Sequence, residues 1–257
     1  MTVLIEARGL TKRFGGVIAL DGLDLTVGAN EILGLIGPNG SGKTTFFNVV
    51  TGIYVADAGN VAFDGADITR ASARRIYQAG VSRTFQRSRL SLPLSIFDNI
   101  MIGNHKHLDQ GLWFNLFRRG AFRRELEANY HAARALIEVF EPALAGRMFE
   151  PAGGLPMIDR RRIEICRALI SGPKLLLLDE PSAGMTHDET RELMDDILLV
   201  RERNKNLTIV IVEHEMGVIE RITDRCVVLN FGRKIAEGTY RAVAADAHVQ
   251  EAYLGVA

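Results

Sequence analysis

The segment Glu31–Ile36, apolar after its first residue, runs straight into Gly37-Pro38-Asn39-Gly40-Ser41-Gly42-Lys43-Thr44-Thr45. A strand apolar at consecutive positions suits the interior of a parallel sheet covered on both faces, because a strand with one wet face would alternate. The order glycine, four residues, glycine, lysine, hydroxyl residue, set between such a strand and a helix expected after Gly42, is that of a loop that cradles phosphate. The glycines let backbone N–H groups close around phosphate oxygens, Lys43 adds a point charge for the outer phosphates, and the Thr44 hydroxyl suits Mg²⁺. The loop therefore implies an α/β fold, with helices crossing over parallel strands, and it implies ATP and Mg²⁺ as ligands.

Leu175–Leu178 followed by Asp179-Glu180-Pro181 supplies the complementary half. A buried strand ending in two carboxylates places Asp179 to hold Mg²⁺, directly or through water. Glu180 is placed to orient or deprotonate the water that attacks the γ-phosphate. A third apolar run, Ile209–Val212, ends at Glu213-His214. Ligands in open parallel sheets bind at such strand ends, so His214 joins Lys43 and Glu180 as a candidate catalytic residue, in contact with the γ-phosphate.

Elsewhere the chain reads as short strands over Val3–Ala7, Ala19–Val27 and Val61–Phe63, the last closed by an Asp64-Gly65 turn. The texture changes near Pro93. Ile96–Phe140 has no two-residue alternation and is rich in helix formers of mixed charge, such as Arg123–Ala128, which predicts a helical insertion. Strand signals return at Leu175–Leu178, Thr208–Val212 and Arg225–Leu229, with helical stretches such as Thr190–Arg203 between them. One domain is expected over 1–257, its core formed by 1–92 and 170–257 and its helical subdomain by 93–169.

Thirty-one basic residues balance thirty-one acidic ones, so no global positive field is present to gather nucleic acid. Cys166 and Cys226 lie in apolar segments without metal-ligand spacing and read as buried free thiols of a reducing compartment. The start lacks a basic segment followed by a long apolar one, and no apolar stretch reaches the ~18 residues that a membrane-spanning helix requires. Two basic segments are read first as packed or solvated helix surface: Trp113–Arg124, with aromatics inward and arginines outward, an interfacial membrane contact or a partner groove being its alternative, and Arg160-Arg161-Arg162 as a solvated face, with membrane-subunit contact as its functional alternative.

With these motifs in this order the chain resembles the ATP-binding cassette (ABC) family over nearly its whole length. The resemblance implies a P-loop NTPase fold with a RecA-like core, an N-terminal antiparallel β portion and a helical subdomain. It implies that Phe14, in Thr11–Gly15, stacks on adenine. It also implies that Gln86, in Arg83-Thr84-Phe85-Gln86, touches Mg²⁺ or water and senses a membrane partner. Arg83–Gln86, Ala183-Gly184-Met185, Val212–Met216 and Ala252-Tyr253-Leu254-Gly255 look most like the ATPases of branched-chain amino acid importers. Such a resemblance implies an ATPase peripheral to the cytoplasmic face of the cell membrane, acting with transmembrane permease subunits, a second ABC ATPase and an extracytoplasmic solute-binding protein. An exporter or lipid-extraction ATPase and a soluble ABC ATPase are the alternatives.

One segment departs from the family. Where the resembling proteins carry Leu-Ser-Gly-Gly-Gln, this chain reads Leu155-Pro156-Met157-Ile158-Asp159. In those proteins the serine and glycine grip the γ-phosphate bound by the opposite subunit. Pro156 offers neither hydroxyl nor N–H, Ile158 fills the space a glycine leaves open, and Asp159 adds negative charge. The expectation is an unequal pair, in which a partner with an intact signature completes this chain's site. Two alternatives stand beside it: Gly153-Gly154 as a displaced signature, and a segment that starts its helix at Pro156.

Overall fold

The computed structural model describes residues 2–86, 89–106 and 119–254 of the 257-residue chain. Within them the chain divides into two compact units: 1–83 with 174–181 and 204–257, and 84–173 with 182–203.

The first unit is built on two sheets. The strands are β1 (Val3–Phe14), β2 (Val17–Gly28), β3 (Ile32–Ile36), β4 (Ala58–Phe63), β5 (Ala66–Asp67), β6 (Val81–Arg83), β7 (Leu175–Asp179), β8 (Thr208–Val212), β9 (Arg225–Asn230) and β10 (Arg233–Gly238). An antiparallel sheet has the order β2-β1-β4-β5, and a second sheet has the order β10-β9-β3-β8-β7-β6. In the second, β9, β3, β8, β7 and β6 are mutually parallel, and β10 closes one edge antiparallel to β9. Every residue of β3, β7 and β8 is buried, which is why these three runs are apolar without alternation. One hydrophobic cluster joins the antiparallel strands (Leu4, Leu10, Leu25), the helix Lys43–Val50 (Phe46, Phe47) and the parallel strands (Leu33, Leu175, Val210).

The first strand is longer than its sequence pattern implies, reaching Phe14 instead of ending at Ala7. Its pairing with β2 shifts register between Ala7 and Leu10 and twice more by Arg13, and Gly9 has φ 56°. Each shift inverts the in–out alternation and hides a continuous strand from a two-residue reading.

The second unit is helical: Ile96–Met101, Arg119–Phe140, Pro142–Ala145, Met157–Leu169 and His187–Arg203 pack around the buried Ile100, Ile137 and Ile163. Ser95 caps the first of these helices by accepting from the Asp98 N–H. Phe97, Tyr130 and Phe149 form an aromatic cluster, with Tyr130 and Phe149 stacked at 5.5 Å. Trp113–Arg118, the aromatic half of the mixed segment, lies outside the described residues.

The reading of Arg160–Arg162 as a solvated face is corrected. Arg161 and Arg162 are buried, at 5% and 3% exposure. Arg161 donates to Glu164 at 2.7 Å. Arg162 donates to Asp196 at 2.9 Å, Asp159 at 3.1 Å, Glu141 at 3.3 Å and Glu192 at 2.5 Å. A buried guanidinium is tolerated only when paired, and the carboxylates that pair with Arg162 come from two helices, its own and His187–Arg203, and from Glu141 between two others. Cys166 and Cys226 are buried free thiols, as expected. Among the described residues no helix is long and apolar enough to cross a membrane.

Candidate nucleotide site

The order of the parallel sheet builds the site. β3, β8 and β7 are neighbours, so the loop after β3, the end of β7 and the residues after β8 meet at the same sheet edge although they are distant in sequence. This is the carboxyl edge, where open α/β sheets bind their ligands.

The glycines of the loop are there for space as well as conformation. Gly37 has φ 145°, and a Cβ there would sit 2.1 Å from the Leu229 carbonyl oxygen. Gly42 has φ 108°, and its Cβ would sit 2.5 Å from the Ala19 carbonyl oxygen. Gly42 is also the residue before the helix Lys43–Val50, which begins with no side-chain cap and no acidic residue in its first turn. Its first N–H groups thus lack the usual side-chain acceptor, and the positive end of the helix dipole faces the loop. Lys43 Nζ donates to the Gly37 and Pro38 carbonyls at 2.6 and 2.9 Å. Burial lowers the Lys43 pKa, opposed by the charges of Glu180 and then Asp179. Ser41 is buried, whereas Thr44 presents an exposed side chain.

Asp179 ends β7 and accepts a hydrogen bond of 2.6 Å from Arg83 Nη2. Glu180 follows it in the left-handed region, at φ 48°. Its N–H donates to the Val212 carbonyl at 2.9 Å, which ties the turn to β8. The Glu180 carboxylate lies 2.8 Å from His214 Nε2, so the two residues after adjacent strands form a carboxylate–imidazole pair. Phe14 stands at the end of β1, 41% exposed, edge-on to Tyr54 at 5.1 Å, with Lys12 Nζ 5.4 Å from its ring centre. An exposed ring held by an aromatic neighbour and a cation is available for stacking.

Gln86 and Leu155–Asp159 belong to the second unit. Gln86 is exposed. Leu155 and Ile158 are buried, Met157 is exposed, and Pro156 directly precedes the helix Met157–Leu169. Asp159 lies in the first turn of that helix and accepts from Arg162. Gly153 and Gly154 form a short 3₁₀ turn, and the Gly153 carbonyl accepts from Arg160 at 2.6 Å.

Two further residues reach the loop or its carboxylates without a local sequence signal. Asn48 and Arg83 meet at 2.7 Å beside Asp179. Tyr253 lies in the last helix, Ala247–Leu254, 40% exposed. That helix and the loop enclose a cavity of about 410 Å³ lined by Asn39, Ser41, Phe231, Ile235, His248 and Glu251.

A glycine-rich loop opening a helix, a buried lysine beneath it and two carboxylates at the end of a neighbouring parallel strand define a P-loop nucleoside triphosphatase. Its relatives narrow the class. The family model described as ABC transporter matches residues 20–183, and that of the branched-chain amino acid ATP-binding cassette transporter matches residues 233–257. The chain belongs to the ABC transporter ATP-binding family, whose members bind and hydrolyse ATP. It is 39% identical to the high-affinity branched-chain amino acid transport ATP-binding protein BraF of Pseudomonas aeruginosa, over 99% of this chain and 98% of the relative. It is 37% identical to LivG of Escherichia coli, described in the same words, with the same coverage. Its fold matches the ADP conformation of an ATP-binding cassette of an ABC transporter with a TM-score of 0.85 and 30% identity, over 99% of this chain and all of that one.

Proposed function

We propose that this chain is the ATP-hydrolysing subunit of an importer of branched-chain or related amino acids, peripheral to the cytoplasmic face of the cell membrane. The observation that carries the activity is the convergence of Lys43, Asp179 and the Glu180–His214 pair at one sheet edge. Similarity to BraF and LivG along the whole chain supports the solute class.

In this reading Gly37–Thr45 cradles the phosphates and Lys43 leaves its carbonyl partners to meet the outer ones. Phe14 stacks on adenine. Glu180 orients the attacking water and accepts its proton, while His214 holds the Glu180 carboxylate and reaches the γ-phosphate. The residues at hand suit Mg²⁺, since Asp179 and Thr44 offer only oxygen. When bound with ATP, the ion neutralises charge on the phosphates. Thr44 and Asp179 would hold it. Gln86 passes the nucleotide state to a permease subunit.

The partner set follows from the altered signature. Pro156 starts a helix and Asp159 is turned to Arg162, so Leu155–Asp159 serves its own helix and is ill suited to grip a phosphate. This chain therefore pairs with a second ABC ATPase carrying an intact signature, together with two permease subunits and an extracytoplasmic solute-binding protein. The test is reconstitution in proteoliposomes. Labelled leucine should accumulate only with ATP, and Glu180→Gln in this chain should abolish uptake, while the matching change in the second ATPase leaves part of it. Equal losses would refute the unequal pair, and ATP turnover without movement of any branched-chain amino acid would refute the solute class.

A further inference from the structure

The carboxylate read above as the metal ligand already has a cation against it. Arg83 ends β6, which pairs in parallel with β7 so that Arg83 lies opposite Leu177, two residues before Asp179. Arg83 Nη2 donates to Asp179 Oδ2 at 2.6 Å, and Nη1 donates to Asn48 Oδ1 at 2.7 Å. The guanidinium also packs on the Phe47 ring at 5.3 Å. The two charged side chains are 5% and 3% exposed, so water screens neither. Asn48 and Phe47 lie on the helix that begins at Lys43, so one side chain ties the strand bearing Asp179 to the helix bearing Lys43 and Thr44.

This geometry does more than neutralise a buried acid. A planar guanidinium with one nitrogen on Asp179 and another on Asn48 fixes the carboxylate in direction as well as in charge. It also places a unit positive charge where a divalent ion has to approach. The two effects oppose each other: Asp179 is held ready for the ion, and the ion is bound less tightly than a carboxylate without a cationic neighbour would bind it. The same positive charge favours the phosphates of metal-free nucleotide.

We propose that Arg83 is a resident counter-ion of the nucleotide site, a positioning residue that orients Asp179 and sets how strongly the metal ion is held with the nucleotide. The proposal rests on the reading of Asp179 as a metal ligand. By limiting metal affinity, Arg83 limits how tightly the spent metal–ADP pair is retained and so favours its exchange for ATP.

The test uses the full chain and Mn²⁺ as the probe, its binding followed by electron paramagnetic resonance at saturating ADP. In parallel, the affinity of a fluorescent ADP is measured in EDTA. A unit charge acting on a divalent ion ~6 Å away changes its binding by about tenfold even at the dielectric constant of water. Arg83→Gln should therefore bind Mn²⁺ about tenfold more tightly than the wild type and bind metal-free ADP more weakly. Arg83→Lys, which keeps the charge, should stay within about threefold of the wild type for Mn²⁺. Asp179→Asn should lose most of the metal dependence. Unchanged or weaker Mn²⁺ binding in Arg83→Gln, with Asp179→Asn impaired as expected, would overturn the role of Arg83 alone. Unimpaired metal binding in Asp179→Asn would overturn the reading of Asp179 beneath it. Should Arg83→Gln not fold, the wild type supplies the answer. The Arg83 Nε–H signal in its nuclear magnetic resonance spectrum, identified by its absence from Arg83→Lys, should move when Mg²⁺ is added to the ADP complex. A stationary signal would overturn the proposal.

Discussion

Replacing Arg162 by methionine keeps the apolar stem and removes the charge that four carboxylates share. Arg162 is 3% exposed, and its four carboxylate partners differ in what they can do without it. Glu192, 56% exposed, returns to water, as does much of Glu141, so each contributes no more than the ~0–1 kcal/mol of an exposed pair. Asp159 keeps the positive end of its own helix, a compensation of roughly 0.3–1 kcal/mol. Asp196 has no such recourse: burial, the largest cause, already raises its pKa to about 6. Breaking a buried pair by removing one partner costs about 3–5 kcal/mol, and with two of the four acids free to hydrate the lower end applies, ~3 kcal/mol at pH 8. That is a large part of a stability on the order of 5–15 kcal/mol.

The sign with pH follows from Asp196. A carboxylate whose folded pKa is raised binds its proton more tightly in the native state, so stability falls as pH rises from the unfolded value of 3.8 to about 6. Without Arg162 the folded pKa rises further and the window extends upward, so the loss should shrink below ~1.5 kcal/mol at pH 5. Urea unfolding followed by far-ultraviolet circular dichroism at pH 8 and pH 5 measures both values. Arg162→Met with Asp196→Asn should recover about 2 kcal/mol at pH 8, because the uncompensated charge is gone. A loss below about 1 kcal/mol at pH 8, or one equal at the two pH values, would refute this account of the cluster.

The other predictions concern the site. Lys43→Ala should weaken nucleotide binding by about a hundredfold or more, measured with fluorescent ADP, since it removes the buried charge beneath the loop. Glu180→Gln should lower turnover by roughly 10²–10⁴ while leaving ATP affinity within a few-fold, and His214→Ala should lower it less, because the carboxylate itself remains. Cys166 and Cys226 should resist thiol reagents at pH 8 until the protein unfolds. Both are buried, and burial is the main cause raising each thiol's pKa, so the labelling rate reports opening of the fold.

The parts of this site that are legible in sequence are those that one stretch of chain builds for itself. Gly37–Thr45 carries its glycines, its lysine and its flanking strand within a few residues, and Asp179-Glu180 arrives with its own buried strand. His214 is readable because an apolar run marks the strand it follows. Arg83 is not readable as a partner of Asp179: 96 residues separate them, and only the pairing of β6 with β7 brings them together. Arg162 defeats a local reading for the same reason. Three arginines in a row signal solvent until the acids that gather around one of them, from as far away as Asp196, are placed. The register shifts of β1 conceal a strand by inverting the alternation that would reveal it.

Glu180 occupies a backbone conformation, φ 48°, that costs a side-chain-bearing residue about 1 kcal/mol and costs glycine almost nothing. Here the interests of the fold and of the reaction are opposed. A glycine at position 180 would relax the chain but remove the carboxylate proposed to orient the attacking water. Durability alone would thus favour glycine here, and only the role proposed for Glu180 in hydrolysis opposes that exchange. In a descendant that came only to hold nucleotide, position 180 is where that opposition would lapse first.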